Sequence, residues 1–360
     1  MRIVQFEHPD SGRHLGIRAD GVVHDVTSAN AKIQRVTDAF AAAQEDGESL
    51  PRYLDGLVAA TRGAAAELDA SQLLLNRKLA DGPVVRPPLD HADHHRILVA
   101  GTGLTHLGSM QSRDEMHAQA AANADDEDED EDEHEDGKSD SKKMFEMGLR
   151  GGRPEAGARG DAPEWFFKGN GAVLRGPHDS LEFPEFALDG GEEPEVAGCY
   201  IIDRQGTPRR IGFALGNEWS DHATERINYL YLAPSKLRVC AIGPELIVGS
   251  DFQAIELRCT VTRDSDTIYD SGPLLTGEQH MCHSLANCED HHFKYPQHRV
   301  PGDVHIHFFG TSKLSYSERD WTYQAGDEIR IEAPDFGAPL VNTVVGGRAA
   351  EQRPVVVEGA

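Results

Sequence analysis

At 360 residues the chain can bury one large core or a large and a small one, and its 39% hydrophobic content is ordinary for a globular protein. No apolar run approaches the ~20 residues needed to span a bilayer, so the sequence offers no membrane segment. With 61 Asp and Glu against 35 Lys and Arg, the net charge of −26 argues against nucleic acid, whose binding rests on basic contacts to phosphate.

The N-terminal MRIVQFEHPDSGRHLG reads as a short strand and a turn. It lacks the basic flank and long apolar stretch of a signal peptide, so a cytoplasmic location is expected. Five cysteines at irregular spacing fit a reducing compartment better than a disulfide framework. The block from Asp125 to Asp136 holds 11 acids, yet the 50 acids outside it still exceed the 35 Lys and Arg. Lysine accounts for only 9 of those basic residues. An acid-rich, lysine-poor surface stays hydrated in concentrated salt, which suggests a halophilic host.

Residues 1–88 form a first, small α/β unit. Segments 2–6 and 21–26 look like strands, and 30–45 and 49–80 carry helix-like apolar spacing. Pro87-Pro88 closes this unit. RILVAGTGLTHLG (96–108) reads as a buried strand running into a glycine-rich turn. Its glycines at 101, 103 and 108 do not complete a dinucleotide fingerprint, because His106 stands where the third glycine is needed. The turn is better read as presenting a polar residue such as His106 at a site. Segment 118–163 is an acidic insert with almost no apolar residues outside 144–149, and is expected to be disordered.

From Trp165 to about Val345, short apolar stretches alternate with Gly, Pro and Asp. This predicts a mainly β, α+β architecture, with an antiparallel roll or sandwich as the catalytic domain over 96–345. Residues 218–237 are the main helical candidate, and 346–360 read as a tail.

Glu193-Pro194-Glu195 sits at the entrance of a predicted strand, EVAGCYII (195–202). Side chains two apart share a face, and paired carboxylates repel unless a cation lies between them. GNEWSDH (216–222) follows, with Glu218 at a strand-to-helix transition. Three carboxylates suit a hard cation such as Mg²⁺, Mn²⁺ or Ca²⁺. Zinc is the weaker reading: the histidines at 91–95 and 280–307 form no HExxH pair.

Several stretches together resemble the fumarylacetoacetate hydrolase superfamily: PEWFFKGNGAVLRGP (163–177), EEPEVAG (192–198), GFALGNEWSDH (212–222), the lysine of LAPSKLRVCAIGPEL (232–246) and PGDVHIHFFGT (301–311). They occur in the superfamily's order. GNEWSDH, NYLYLAPSKLR (228–238) and HIHFFGT (305–311) look most similar to its sugar-acid branch, the 2-keto-3-deoxy-pentonate dehydratases. The resemblance implies a β-rich catalytic domain, a divalent metal, usually Mg²⁺, and a homodimer. It makes Glu193, Glu195 and Glu218 the ligands and places Lys168, Lys236 and Thr311 at substrate. It also implies dehydration of a 2-keto sugar acid to 2-oxoglutarate semialdehyde in pentose degradation. Hydrolytic members carry an H-x-x-E dyad after the glycine turn; here no glutamate follows His106 by three residues. That departure favours dehydration over hydrolysis of an acylpyruvate or diketo sugar acid. Lys236 and His106 are the candidate catalytic groups, His106 because an imidazole titrates near neutrality.

Overall fold

The computed structural model describes residues 1–61, 67–111, 113–114, 139–349, 351 and 354–359. The chain begins with a meander of Arg2–His8, Gly12–Ala19 and Val22–Asp25. The second of these strands had no counterpart in the sequence reading. Ala19 pairs with Val22 across a two-residue turn, Asp20-Gly21, both at positive φ (49° and 82°). A primed turn of this kind needs residues that tolerate that region, and Asp-Gly supplies them. Helices Val36–Glu45 and Leu50–Thr61 pack beside this meander. The long helical stretch expected over 49–80 is interrupted: strand Glu67–Asp69 precedes a short helix, Ala70–Leu75, capped by the Asp69 side chain.

Two sheets organise the molecule. In the larger, the path runs from Glu67–Asp69 through the N-terminal meander to Leu246–Ile247. It continues through Pro208–Asn217, Pro194–Ile202, Val304–Phe308, Ile97–Gly103 and Glu164–Asn170. The N-terminal strands thus hydrogen-bond directly onto the strands of 96–345. The smaller sheet is built around Ile255–Arg263, flanked by Asp266–Asp270 and Glu328–Glu332. The antiparallel expectation holds for most pairs, but Val304–Phe308 runs parallel to Ile97–Gly103, and Leu340–Gly346 parallel to Ser180–Phe183. Parallel pairing requires long crossovers, which local sequence patterns do not reveal.

Pro194–Ile202 is buried along its whole length. Val196, Tyr200 and Ile202 enter a core between the sheets with Phe213, Trp219, Phe252 and Phe309. Ala197, Cys199 and Ile201 face the other way, into a core with Ile3, Val36 and Leu54. Burial on both faces explains why the strand reads as an unbroken apolar run. Each large side chain so buried contributes roughly 1.5–3 kcal/mol. All five cysteines are buried and free.

Three helical regions differ from the sequence reading. Asp140–Gly151, inside the supposed disordered insert, is a helix with Ser139 as N-cap, and it buries Phe145. A few apolar residues placed on one face suffice once a neighbouring surface receives them. Residues 118–138 of that insert lie largely outside the described residues, and 346–360 are described only in part. Leu285–Phe293, capped by Ser284, was not anticipated. The helix expected over 218–237 resolves into His222–Ile227 and Leu232–Lys236, separated by a 3₁₀ turn.

Candidate metal centre

The hairpin of Pro194–Ile202 and Pro208–Asn217 sets Glu195 opposite Gly216 and Pro194 opposite Asn217. Glu193, Glu195 and Glu218 therefore emerge together at one end of this strand pair. The Glu218 N–H donates to the Glu193 carbonyl (3.0 Å), and Gly191 and Ser220 exchange both backbone hydrogen bonds (2.9 and 3.0 Å). The strand-end geometry is thus locked by backbone hydrogen bonds, to which the Asn217 and Ser220 side chains add. One carboxylate oxygen from each of the three glutamates lies within 4.8 Å of the others, and all three residues are buried.

Two lysines reach this cluster. The Lys236 ammonium donates to Glu193 Oε1, to Glu218 Oε2 (2.8 Å) and to Ser220 Oγ (3.2 Å), and sits 4.8 Å from the centre of the Phe166 ring. Burial works against its charge, but Glu193 and Glu218 overcome that and hold its proton more tightly than usual. Lys168, expected at the substrate, is fully buried behind the cluster. It donates to Glu218 Oε1 (2.5 Å), the Trp219 carbonyl (2.6 Å) and the Lys236 carbonyl (3.1 Å). All three of its protons are used within the protein, so Lys168 orients Glu218 and the Lys236 helix and does not face the cavity.

The three carboxyls are electrostatically unequal. Burial, reinforced by Glu218 and Glu193, pushes Glu195 well above the usual carboxylate range, although the Gly310 N–H donates to its Oε2 (2.7 Å). Burial also pushes Glu193 up, but Lys236 and His222 outweigh it and hold Glu193 well below that range. Burial and Glu193 raise Glu218 despite Lys168. His222 Nε2 lies 2.9 Å from Glu193 Oε1. Three buried carboxylates against two ammoniums leave an excess negative charge in low dielectric. A dication converts that excess to a single positive charge, which matches an anionic ligand. The donor set is all oxygen, as hard cations prefer, and the residues present therefore fit Mg²⁺, Mn²⁺ or Ca²⁺.

A cavity opens on the cluster. Its wall includes Glu193, Glu195, Lys236, Thr311, His222 and Arg113. Thr311 lines the cavity, its hydroxyl donating to the Lys313 carbonyl (2.9 Å). A larger cavity of about 590 Å³ lies between residues 40–51 and 209–213, where Arg209 and Arg210 are paired with Asp203 and Glu289. It gathers no carboxylate cluster, so its size does not make it the chemical site.

His106 is not brought to the metal centre. Its ring is buried, with Nδ1 2.9 Å from Thr105 Oγ1 and Nε2 3.1 Å from Thr276 Oγ1, and it does not line the cavity. Burial, with His280 nearby, lowers its pKa to about 3, so it is a neutral structural group at ordinary pH. Burial likewise lowers His292 well below its ordinary value. His292 Nε2 lies 2.9 Å from His305 Nδ1, and burial lowers His305 and His307 to about 3. Among the described residues, only the three glutamates converge as a possible metal group.

Sequence reasoning missed Arg113, Glu164 and Glu225. Arg113 Nη1 donates to Glu164 Oε1 (2.7 Å), and Nε lies 2.7 Å from Glu225 Oε1. In a chain so rich in acids, no spacing pattern marks two of them as partners of one distant arginine. His222 was visible within NEWSDH, but nothing in the motif shows that it faces Glu193.

No family model matches the chain. A stretch of 189 residues is 28% identical to a probable 2-keto-3-deoxyxylonate dehydratase of Haloferax volcanii, covering 51% of this chain and 61% of that relative. The match thus spans less than two thirds of the relative's length. Among solved structures, a hexagonal crystal form of 2-keto-3-deoxyarabinonate dehydratase superposes with a TM-score of 0.67 at 16% identity, over 97% of this chain and all of that one. The 2-keto-3-deoxy-D-arabinonate dehydratase complexed with magnesium and 2,5-dioxopentanoate gives 0.66 at 16% identity, with the same coverage. The fumarylacetoacetate hydrolase of Exiguobacterium antarcticum gives 0.58 at 15% identity, over 97% of this chain and all of that one. The chain has the fold these proteins share.

Proposed function

We propose that this chain is a divalent-cation-dependent hydro-lyase that removes water from a 2-keto-3-deoxy pentonate, giving 2-oxoglutarate semialdehyde (2,5-dioxopentanoate). The observation that carries this reading is the convergence of Glu193, Glu195 and Glu218 within 4.8 Å beside the buried Lys236 ammonium, with Glu193, Glu195 and Lys236 lining one cavity. The named dehydratases of the same fold, one holding magnesium and 2,5-dioxopentanoate, support the choice of substrate class.

Glu193, Glu195 and Glu218 are the residues that would hold the ion. When bound, Mg²⁺, or Mn²⁺ or Ca²⁺ in its place, supplies a Lewis acid for negative charge building on the oxygens of a 2-keto acid. Lys236 keeps its proton and places a fixed positive charge beside those oxygens, which needs no reorganisation during reaction. Thr311, which lines the same cavity, positions the acid end. Dehydration takes a proton from C3 and releases the C4 hydroxyl with a proton as water, leaving a C3=C4 double bond conjugated to the C2 keto group. Loss of a C5 proton and protonation at C3 then give a C4=C5 enol, which gains a proton at C4 and loses its hydroxyl proton to become the C5 aldehyde. Groups lining the cavity carry those proton movements, and His106 is not one of the lining residues.

The chain is further proposed to be cytoplasmic, to act as a homodimer in pentose breakdown and to belong to a halophilic cell. Ile227, Leu230, Tyr231 and Leu237 form an exposed apolar strip beside the Lys236 helix, which supports association. Light scattering of the purified chain measures its mass directly. Among the described residues no helix is long and apolar enough to cross a membrane.

Incubation with Mg²⁺ and a 2-keto-3-deoxy pentonate tests the activity. The expected product is the five-carbon semialdehyde with no carbon–carbon cleavage. Pyruvate with a two-carbon fragment would replace the dehydratase by a cleaving enzyme. Release of a carboxylic acid from an acylpyruvate would make it a hydrolase.

A further inference from the structure

The pocket has a second charged element, distinct from the three glutamates and built from two other parts of the chain. Arg113 lies beyond strand Ile97–Gly103 in the chain, and Glu225 lies on helix His222–Ile227. Both side chains line the same cavity as Glu193, Glu195 and Lys236. Both are more than nine-tenths buried. Glu164 takes Arg113 Nη1 at 2.7 Å, and Glu225 Oε1 sits 2.7 Å from Arg113 Nε.

The pairing leaves hydrogen-bonding capacity facing inward. Glu225 Oε1 is buried and, despite its closeness to Nε, lacks an aligned donor. Arg113 Nη2 has no acceptor among the described residues. A buried carboxylate oxygen without a donor costs stability unless a ligand supplies one. The element therefore presents an acceptor and a donor side by side. Its charge is also informative. One guanidinium between two carboxylates carries excess negative charge, so it repels a second carboxylate and accepts neutral hydroxyls.

We propose that Arg113 and Glu225 bind the hydroxyl-bearing end of the substrate and select a polyol-terminated 2-keto acid over one ending in a second carboxylate. This rests on the reading of the site as a 2-keto acid pocket. Glu225 Oε1 accepts a hydroxyl proton, Arg113 Nη2 donates to the hydroxyl oxygen, and Glu164 keeps the guanidinium in plane. The keto-acid head meets the Glu193, Glu195 and Lys236 end. A site built to hydrogen-bond hydroxyls discriminates strongly, because its own polar groups are left unpaired by the wrong ligand.

The test uses the full chain with Mg²⁺ and two probes: 2-keto-3-deoxy-D-arabinonate as substrate, and oxalate as an inhibitor that has only the acid head. In Glu225→Gln and Arg113→Lys, KM for the sugar acid is expected to rise about 10- to 100-fold. The inhibition constant of oxalate should stay within about twofold. Glu225→Gln should also bind 2-oxoglutarate more tightly than the parent does, because one repelling charge is gone. Unchanged KM in both variants, or an oxalate constant that rises in step with KM, would overturn the assignment. Should Arg113→Lys fail to fold, Glu225→Gln decides the matter alone. If the parent chain neither binds oxalate nor acts on the sugar acid, the reading of the pocket itself fails and takes this inference with it.

Discussion

Replacing Lys236 with Met probes the electrostatic balance of the centre. Methionine keeps much of the length and removes the charge. The parent ammonium contacts Glu193, Glu218 and Ser220 in a fully buried setting. Its loss leaves three carboxylates facing Lys168 alone. Breaking a buried pair by removing one partner costs about 3–5 kcal/mol. For a chain of this length, that lowers the melting temperature by about 4–7 °C in chelator. Part of the cost is relieved by protonating Glu195, whose carboxyl burial and its neighbours already push up. A dication relieves more, since two unit charges 4 Å apart interact by about 4 kcal/mol at an effective dielectric of 20. Mg²⁺ should therefore raise the melting temperature of Lys236→Met by more than it raises that of the parent, while turnover is lost. Differential scanning fluorimetry with EDTA or 10 mM (about physiological-to-excess) Mg²⁺ reads both effects. Equal Mg²⁺ shifts in parent and variant, or none in either, would refute the argument that Lys236 and the ion share one carboxylate cluster.

Other outcomes follow from the same geometry. Glu195→Gln should weaken Mn²⁺ binding, read by calorimetry, by more than the ~10–100-fold that losing an outer-shell partner costs. Gly310 adopts φ of +92°, and a Cβ there would lie 2.3 Å from Thr105 Oγ1, so Gly310→Ala should displace the N–H that holds Glu195 and weaken the same binding isotherm. His106, His305 and His307 are held near pKa 3 by burial, below the unfolded value of 6.5. The unfolded chain then binds more protons as pH falls, so their stabilisation is complete above pH 6.5 and is lost progressively below it. The slope is about 1.4 kcal/mol per pH unit for each histidine, and urea melts between pH 7 and 5 should show it. With a net charge of −26, the melting temperature should rise with KCl as self-repulsion is screened; a flat response would contradict the halophilic reading.

The strand pattern was legible because it follows from short-range rules, whereas the grouping of the three glutamates rested on the resemblance to the family's motif order. Glu193 and Glu195 flank one proline at the mouth of a strand, so the two-residue period alone puts them on one face. Glu218, just past the end of the partner strand Pro208–Asn217, was joined to them by the resemblance. The helix Asp140–Gly151 escaped notice because its support comes from a distant surface: Phe145 packs with Leu104, Met110 and Cys282. His106 misled for the opposite reason. Its local context, a glycine turn, suggested exposure to a site, while Thr276, far along the chain, closes over its ring. Lys168 lay in the right motif, but whether its ammonium points at ligand or at Glu218 is decided by the packing of strand Glu164–Asn170 against the Lys236 helix. Arg113 and Glu225 belong to the same class of long-range facts.

The central claim is that Glu193, Glu195 and Glu218 grip one divalent ion. Growing crystals with Mn²⁺ and recording anomalous scattering tests it most directly. A single strong peak within bonding distance of all three carboxylates is the expected result. A peak at the His292–His305 cluster instead, or none between the glutamates at saturating Mn²⁺, would contradict it.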